Sequence, residues 1–295
     1  MKKRIKTERV TLGVIGGSGL YALEGLRDVC ELKICTPFGN PSDAVVIGTL
    51  EGSRVAFLPR HGRGHRINPS EVNHRANIYA LKTLGVEQII SVSACGSLKE
   101  ELHPRDMVFP DQVFDRTKGR ASTFFEKGIV AHIGMANPYC PELAQRLYDT
   151  ATGLGFRTHR GGTYVCIEGP QFSTKAESKV YRSLGFSVIG MTNVPECKLA
   201  RESEICYASV ALVTDYDVWH EEPVTIDMVI GNLNANTANV KQLLKTAVRH
   251  VARRSADGRH CECATALQYA ILTDNKHIPS KVKKDLKPLI GKYLA

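Results

Sequence analysis

Six short segments of this chain close apolar runs with residues able to hold an anion or a polar ring. In Gly13-Val14-Ile15-Gly16-Gly17-Ser18-Gly19, glycines let backbone N–H groups approach a ligand and Ser18 adds a hydroxyl. Pro59-Arg60-His61-Gly62-Arg63-Gly64-His65-Arg66 carries planar guanidinium donors that match phosphate oxygens. In Ser91-Val92-Ser93-Ala94-Cys95-Gly96-Ser97, small side chains expose the backbone and Ser93 can donate. Cys95 has no base paired with it in sequence, so it reads as a buried structural thiol rather than a nucleophile. Glu168-Gly169-Pro170-Gln171-Phe172-Ser173-Thr174 and Met191-Thr192-Asn193-Val194-Pro195-Glu196 also follow strand-like runs. Thr214-Asp215-Tyr216-Asp217 places two carboxylates where an apolar run ends, a costly arrangement unless they bind something. Each has a plainer reading: a tight turn, a solvated basic loop, or a helix-capping aspartate beside a surface one. The residues from Gly17 to Ala22 also fit G-x-G-x-x-A, a dinucleotide fingerprint, but the run at 45–47 ends without the acidic residue such a site uses.

The elements that carry these segments alternate. Apolar runs at 12–15, 45–47, 55–58, 89–92, 107–109, 164–167, 188–191 and 208–213 suit strands buried on both faces. Between them lie helical stretches: from Asn68-Pro69 to Gly85, 141–155, 174–184, 195–204, and a long one from Thr225 past Arg249, with one or two short helices after Thr265. The alternation predicts an α/β fold with a mixed or largely parallel sheet flanked by helices. A single domain is expected over 1–295, with a basic tail at 1–10 and a helical extension at 255–295.

Composition excludes several classes. With 43% hydrophobic and 23% charged residues, the 295-residue chain is neither disordered nor fibrous. No apolar run reaches the roughly 18 residues of a membrane span, and the glycine-rich start is unlike a secretory signal, so a cytoplasmic protein is expected. The +9 charge comes from dispersed clusters without a nucleic-acid-binding pattern, which favours a small anion over a nucleic acid. Among nine cysteines the closest pair is Cys261-Glu262-Cys263, with His260 beside it. A zinc site needs four ligands, and no second pair is near in sequence. The expectation is therefore no metal and a structural or redox pair, with Cys140 and Cys206 the next candidates for pairing.

Taken together, GVIGGSGL, TPFGNPSD, RHGRGHRINPSEVNHRANIYAL, ACGSL, DQVFDRT, IEGPQFSTKAES, MTNVPECKLARE and TDYDVWHEE resemble, in order, the nucleoside phosphorylases of the purine nucleoside phosphorylase fold, and within them the methylthioadenosine phosphorylases. The resemblance implies that phosphate, a co-substrate, attacks C1′ of a nucleoside and releases the purine, without cofactor or metal. It assigns the phosphate to Ser18, Arg60, His61, Ser93, the Ala94 N–H and Thr192. It assigns the ribose to Met191 and the base to Phe172, Ser173, Asp215 and Asp217, with Asp215 and Asp217 as the catalytic carboxyls. Relatives that cleave 6-oxopurine nucleosides carry Glu and Asn where this chain has Ser173 and Asp215, so the resemblance implies an adenine nucleoside; a broader enzyme acting also on adenosine or inosine is the alternative. It further implies a 5′ pocket from Ile226, Val229 and Ile230, which share a helix face, and from His132 of a neighbouring subunit. A homotrimer or a dimer of trimers, and a place in purine and methionine salvage, follow from the same likeness. In relatives from hot environments, C-terminal C-x-C motifs and extra cysteines form disulfides.

Overall fold

The computed structural model describes residues 9–17, 20, 23–220, 226–256 and 259–294, without the side chains of 226, 228, 229, 233 and 253–256. Among these described residues, eleven strands form one mixed sheet. They are β1 (Leu12–Gly16), β2 (Arg27–Leu32), β3 (Val45–Leu50), β4 (Ser53–Pro59), β5 (Gln88–Ser97), β6 (Met107–Phe109), β7 (Gln112–Arg116), β8 (Thr158–Arg160), β9 (Thr163–Ile167), β10 (Val188–Gly190) and β11 (Cys206–Asp215). Seven α-helices accompany them: α1 (His74–Thr83), α2 (Pro141–Gly153), α3 (Lys175–Ser183), α4 (Asn193–Glu202), α5 (Ile226–Ala256), α6 (Ser280–Asp285) and α7 (Lys287–Ile290).

All eight predicted strands are present. The three additional ones, β2, β7 and β8, show no continuous buried run: β2 and β7 are largely exposed and β8 is half-buried. They lack the apolar signal of a strand covered on both faces. The first predicted helix begins later than expected. Asn68 caps a turn, accepting from the Ser70 and Glu71 N–H groups, while Asn73 caps α1 by accepting from Ala76. Two Asn residues can each satisfy an orphaned N–H, and sequence did not separate them.

β5 and β11, ten residues each, run parallel from Gln88↔Cys206 to Ala94↔Leu212. β1 lies parallel between β4 and β5, and the tail of β5 pairs antiparallel with β10. On one face α2 and α5 pack on the sheet. Val240, Leu243, Leu244, Ala247, Val248 and Val251 repeat at helical spacing and are buried. The other face is covered by α1, α4 and the C-terminal helices, whose Leu286, Leu289 and Ile290 join its core. Each such side chain contributes about 1.5–3 kcal/mol by leaving water.

This topology excludes the dinucleotide alternative. Among the described residues no helix follows β1, and the next strand, β2, is an edge strand antiparallel to β3. The fingerprint needs a strand–helix–strand unit with parallel strands.

Tertiary contact also corrects the reading of the cysteines. Cys140 caps α2, Cys206 opens β11, and α2 packs on β11. The segment after α5 brings Cys261 and Cys263 to the same place, so a second pair does lie beside the C-x-C. All nine cysteines are free thiols, and neither expected pair is joined.

Candidate active site

The carboxyl ends of β1, β4, β5, β9, β10 and β11 converge on a cavity of about 420 Å³. Strand ends leave backbone groups unpaired at one edge, which is where open α/β sheets bind ligands. Gly17, Arg60, His61, Ser93, Ala94, Phe172, Ser173, Met191, Thr192, Asp215 and Asp217 all line it. Ser18 lies outside the described residues, as do the side chains of Ile226 and Val229.

Arg60 extends from the end of β4, where its N–H donates to the Gly16 carbonyl. Its side chain is 2% exposed. Nε and Nη2 donate to the two Glu196 oxygens, Nη1 to the Val92 carbonyl at 2.9 Å, and Nη2 also to Ser91 Oγ at 2.7 Å. Burial alone would raise the Glu196 pKa, but the Arg60 charge, with His74, holds it far below the usual carboxylate range. Glu196 in turn accepts from Tyr207 Oη at 2.9 Å, and Ser209, the one polar residue of the apolar run 208–213, donates to Asn193. The sequence motif contained Glu196, but nothing in it assigned that residue the role of holding Arg60.

His61 follows. Its Nδ1 lies 2.9 Å from the Ile67 carbonyl, which only accepts, so Nδ1 carries the proton and Nε2 is left as an acceptor. Desolvation, then the neighbouring Arg60 charge, lowers its pKa to about 4. His65 stacks on it at 4.4 Å. The rest of the basic loop turns away: Arg63 pairs with Glu31 at 2.8 Å, and Arg66 donates to the Ser42 carbonyl. Reading the whole loop as an anion site was too broad, because acidic residues of β2 and the loop before β3 draw off the outer arginines.

Ser93 and Ser173 line the cavity with buried hydroxyls that lack a hydrogen-bond partner among the described residues. A buried polar group left so costs about 1–3 kcal/mol unless a ligand or water satisfies it. Thr192 stands just before α4, whose backbone is interrupted at Val194, and it lines the cavity. Cys95 is buried, which pushes its thiol well above the usual range and bears out the structural reading.

Asp215 ends β11 at a shift of register between Val213 and Asp215. Its carboxylate accepts from Thr214 Oγ1 at 2.7 Å and from the Asp217 N–H at 2.8 Å. Burial raises its pKa above the usual value against those two hydrogen bonds. Burial raises Asp217 too, and the nearby Asp215 adds to it; Ser178 of α3 donates to Asp217 at 2.5 Å. A capping box between Thr174 and Glu177 fixes the start of α3, directly after Ser173. Gly96 makes room: a Cβ there would lie 3.0 Å from Asp215 Oδ1 and 3.1 Å from Ile189.

Arg120 is a positioning residue that sequence reasoning missed. Its side chain is 2% exposed and donates to the carbonyls of Met191, Val194, Ile167 and Glu168, tying the ends of β9 and β10 together. Its segment carries no strand pattern, so only its burial reveals it. The expected 5′ pocket falls only partly on described side chains. Ile230 is 49% exposed and does not line the cavity; the described part of α5 contributes Thr237 and Val240 instead. His132 is exposed and away from the cavity of its own chain. Phe172 lines the cavity yet is 70% exposed, so the cavity stands open on that side.

A family model described as "Phosphorylase superfamily" matches residues 11–249. The S-methyl-5'-thioadenosine phosphorylase of Geobacter sulfurreducens is 56% identical over 96% of this chain and 99% of its own. That of Gloeobacter violaceus is 55% identical over 96% of each. The chain belongs to the phosphorylase superfamily and, within it, to the S-methyl-5'-thioadenosine phosphorylase family. Among solved structures of the family, a methylthioadenosine phosphorylase from an antarctic soil metagenomic library superposes with a TM-score of 0.91 at 50% identity, covering 96% of this chain and 99% of that one. The methylthioadenosine phosphorylase of Schistosoma mansoni in complex with adenine gives 0.82 at 36% identity, covering 89% and 99%. The purine nucleoside phosphorylase-like fold is thereby established for this family member. No helix among the described residues is long and apolar enough to cross a membrane.

Proposed function

We propose that this phosphorylase cleaves 5′-methylthioadenosine with inorganic phosphate, giving adenine and 5-methylthioribose 1-phosphate. The observation that carries the reading is Asp215: a carboxyl with a raised pKa, in the same cavity as Arg60, His61 and the unpartnered Ser93. A phosphate oxygen attacks C1′, the C1′–N9 bond breaks, and its electron pair passes to the purine. Protonated Asp215 then gives its proton to N7. The phosphate charge beside C1′ stabilises the developing oxocarbenium ion. Ser93, Thr192 and the remaining N–H of Arg60 donate to the phosphate, His61 accepts through Nε2 from a phosphate hydroxyl, and Ser18 is a further donor. The Met191 backbone meets the ribose, and Phe172, Ser173 and Asp217 meet the base. Balanced in this way, the step needs neither cofactor nor metal.

An Asp at 215 accepts from a 6-amino group and repels a 6-oxo group, which favours adenine. Leu20, Val92, Leu212 and Val240 give the cavity an apolar wall suited to a methylthio group. Relatives of the same name at 52–56% identity support this reading over the broader one. The products would enter purine and methionine salvage in the cytoplasm.

Two separate apolar patches support a ring-shaped oligomer. Phe114, Val180 and Leu184 are exposed beside edge strand β7 and α3. Val130, Tyr269 and Leu272 are exposed where two segments pair next to His132. Joining unlike patches head to tail closes a ring, and a trimer, alone or doubled, is the form proposed. In it, His132 of one subunit reaches the open mouth of the next. Product analysis with methylthioadenosine, adenosine and inosine, each with and without phosphate, tests the reaction; cleavage without phosphate, or preference for inosine, would overturn it.

A further inference from the structure

Cys140, Cys206, Cys261 and Cys263 bring four sulfur atoms within 4.8 Å of one another. They come from three places in the chain: the N-terminus of α2, the first residue of β11, and a 3-10 turn in the segment after α5. Cys140, Cys206 and Cys263 are each 2% exposed, and Cys261 is half-buried. The sulfurs are unbonded, the Cys206 and Cys261 pair standing 3.3 Å apart. Four thiolates around a tetrahedral zinc at about 2.3 Å lie roughly 3.8 Å from one another, so the cluster needs only small side-chain adjustments to take the ion.

Charge around the cluster fits a metal centre. Four thiolates and one Zn²⁺ leave two negative charges. Arg201 donates to Cys263 Sγ at 3.3 Å, and Arg259 approaches Cys206 Sγ at 4.0 Å. Arg201 also faces Glu262, and Arg259 also faces Glu87 and the Glu204 carbonyl, so both guanidiniums are held in place. Donors of this kind around thiolates are what surround a buried sulfur-ligated ion.

We propose that these four cysteines form a structural tetrathiolate zinc site. Binding releases the thiol protons to solvent and forms four Zn–S bonds, with no change of oxidation state. The site joins the C-terminal extension to α2 and β11, on the side of the sheet end away from the cavity. Its role is to anchor the segment whose residues 264–294 cover one face of the core. The proposal departs from the expectation of no metal, which rested on the lack of a second nearby pair in sequence.

The test uses the full chain purified with reductant and without added chelator. Elemental analysis should find one zinc per chain, released by a mercurial thiol reagent. Cobalt replacement should give the charge-transfer and ligand-field bands of a tetrahedral tetrathiolate. Cys261→Ser and Cys263→Ser should lose the zinc and the cobalt spectrum, while Cys35→Ser, at an exposed thiol elsewhere, keeps both. The proposal is overturned if these thiols are joined as disulfides in the purified protein, if iron is bound in place of zinc, or if the reduced chain takes up no zinc or cobalt on titration. Because the wild-type titration alone decides this, poor folding of a variant leaves the test intact.

Discussion

The guanidinium of Arg60 lies against the carboxylate of Glu196 with both oxygens engaged, and neither side chain is more than 2% exposed. Arg60 is therefore fixed before any phosphate arrives. Nε, one Nη1 N–H and both Nη2 N–H groups are taken up by Glu196, Val92, Ser91 and Ile15, and the second Nη1 N–H has no partner among the described residues.

Glu196→Gln should separate positioning from binding. It leaves the Arg60 charge buried without its counter-ion, and breaking a buried pair costs about 3–5 kcal/mol. Thermal unfolding should fall accordingly, and the KM for phosphate should rise more than the KM for the nucleoside. Equal changes in both would show that Glu196 merely supports the fold. Because Glu196 is held below its ordinary pKa, its share of stability is present at neutral pH and lost as acid protonates it.

Asp215→Asn keeps the shape but removes the proton. Activity on methylthioadenosine should drop by about 10²–10⁴-fold, with a smaller loss on the 6-oxo counterpart. In the parent enzyme, activity should decline as pH rises through the raised pKa of Asp215, since the ionised form cannot donate. A flat profile across that limb, or an unchanged base preference in the variant, would remove Asp215 from the role of acid.

Gly96→Ala puts a methyl group 3.0 Å from Asp215 Oδ1, 3.1 Å from Ile189 and 3.2 Å from Asp217 Cβ. These neighbours belong to strand and turn, so they yield only by shifting the carboxyls. kcat should fall by roughly tenfold or more, since displacements of this scale disturb reacting geometry. Steady-state kinetics beside an unchanged circular dichroism spectrum would check it; full activity would mean the carboxyls tolerate the shift.

Glu202 predicts a pH effect on stability away from the site. Burial pushes its pKa to about 7, against hydrogen bonds from the Phe124 N–H and the Thr123 hydroxyl. A raised carboxyl contributes stability that is complete below its unfolded pKa and lost as pH rises through the folded one. Tm should therefore fall between about pH 4.5 and pH 7 and level off above that, the loss approaching about 3 kcal/mol. Glu202→Gln should flatten that decline; an identical slope in the variant would assign the effect to other groups.

The residues around the cavity divide by how they could be read. Val, Ile and Leu runs fixed all eight buried strands in advance, because a strand covered on both faces must be apolar throughout. The ends of those runs carried Arg60, Ser93, Thr192 and Asp215, so most of the cavity lining was legible as polar residues closing apolar strands. The exposed strands β2 and β7 and the half-buried β8 were not, since nothing in their composition separates them from loops. Nor was it visible that Arg60 rests on Glu196, 136 positions away, or that Arg120 ties two strand ends together. Such pairings are set by which strands become neighbours, and sequence distance holds no information about that. The cysteines show it most plainly: spacing along the chain gave one C-x-C and two isolated thiols, and only the packing of α2 on β11, with the segment after α5 brought against them, gathers all four.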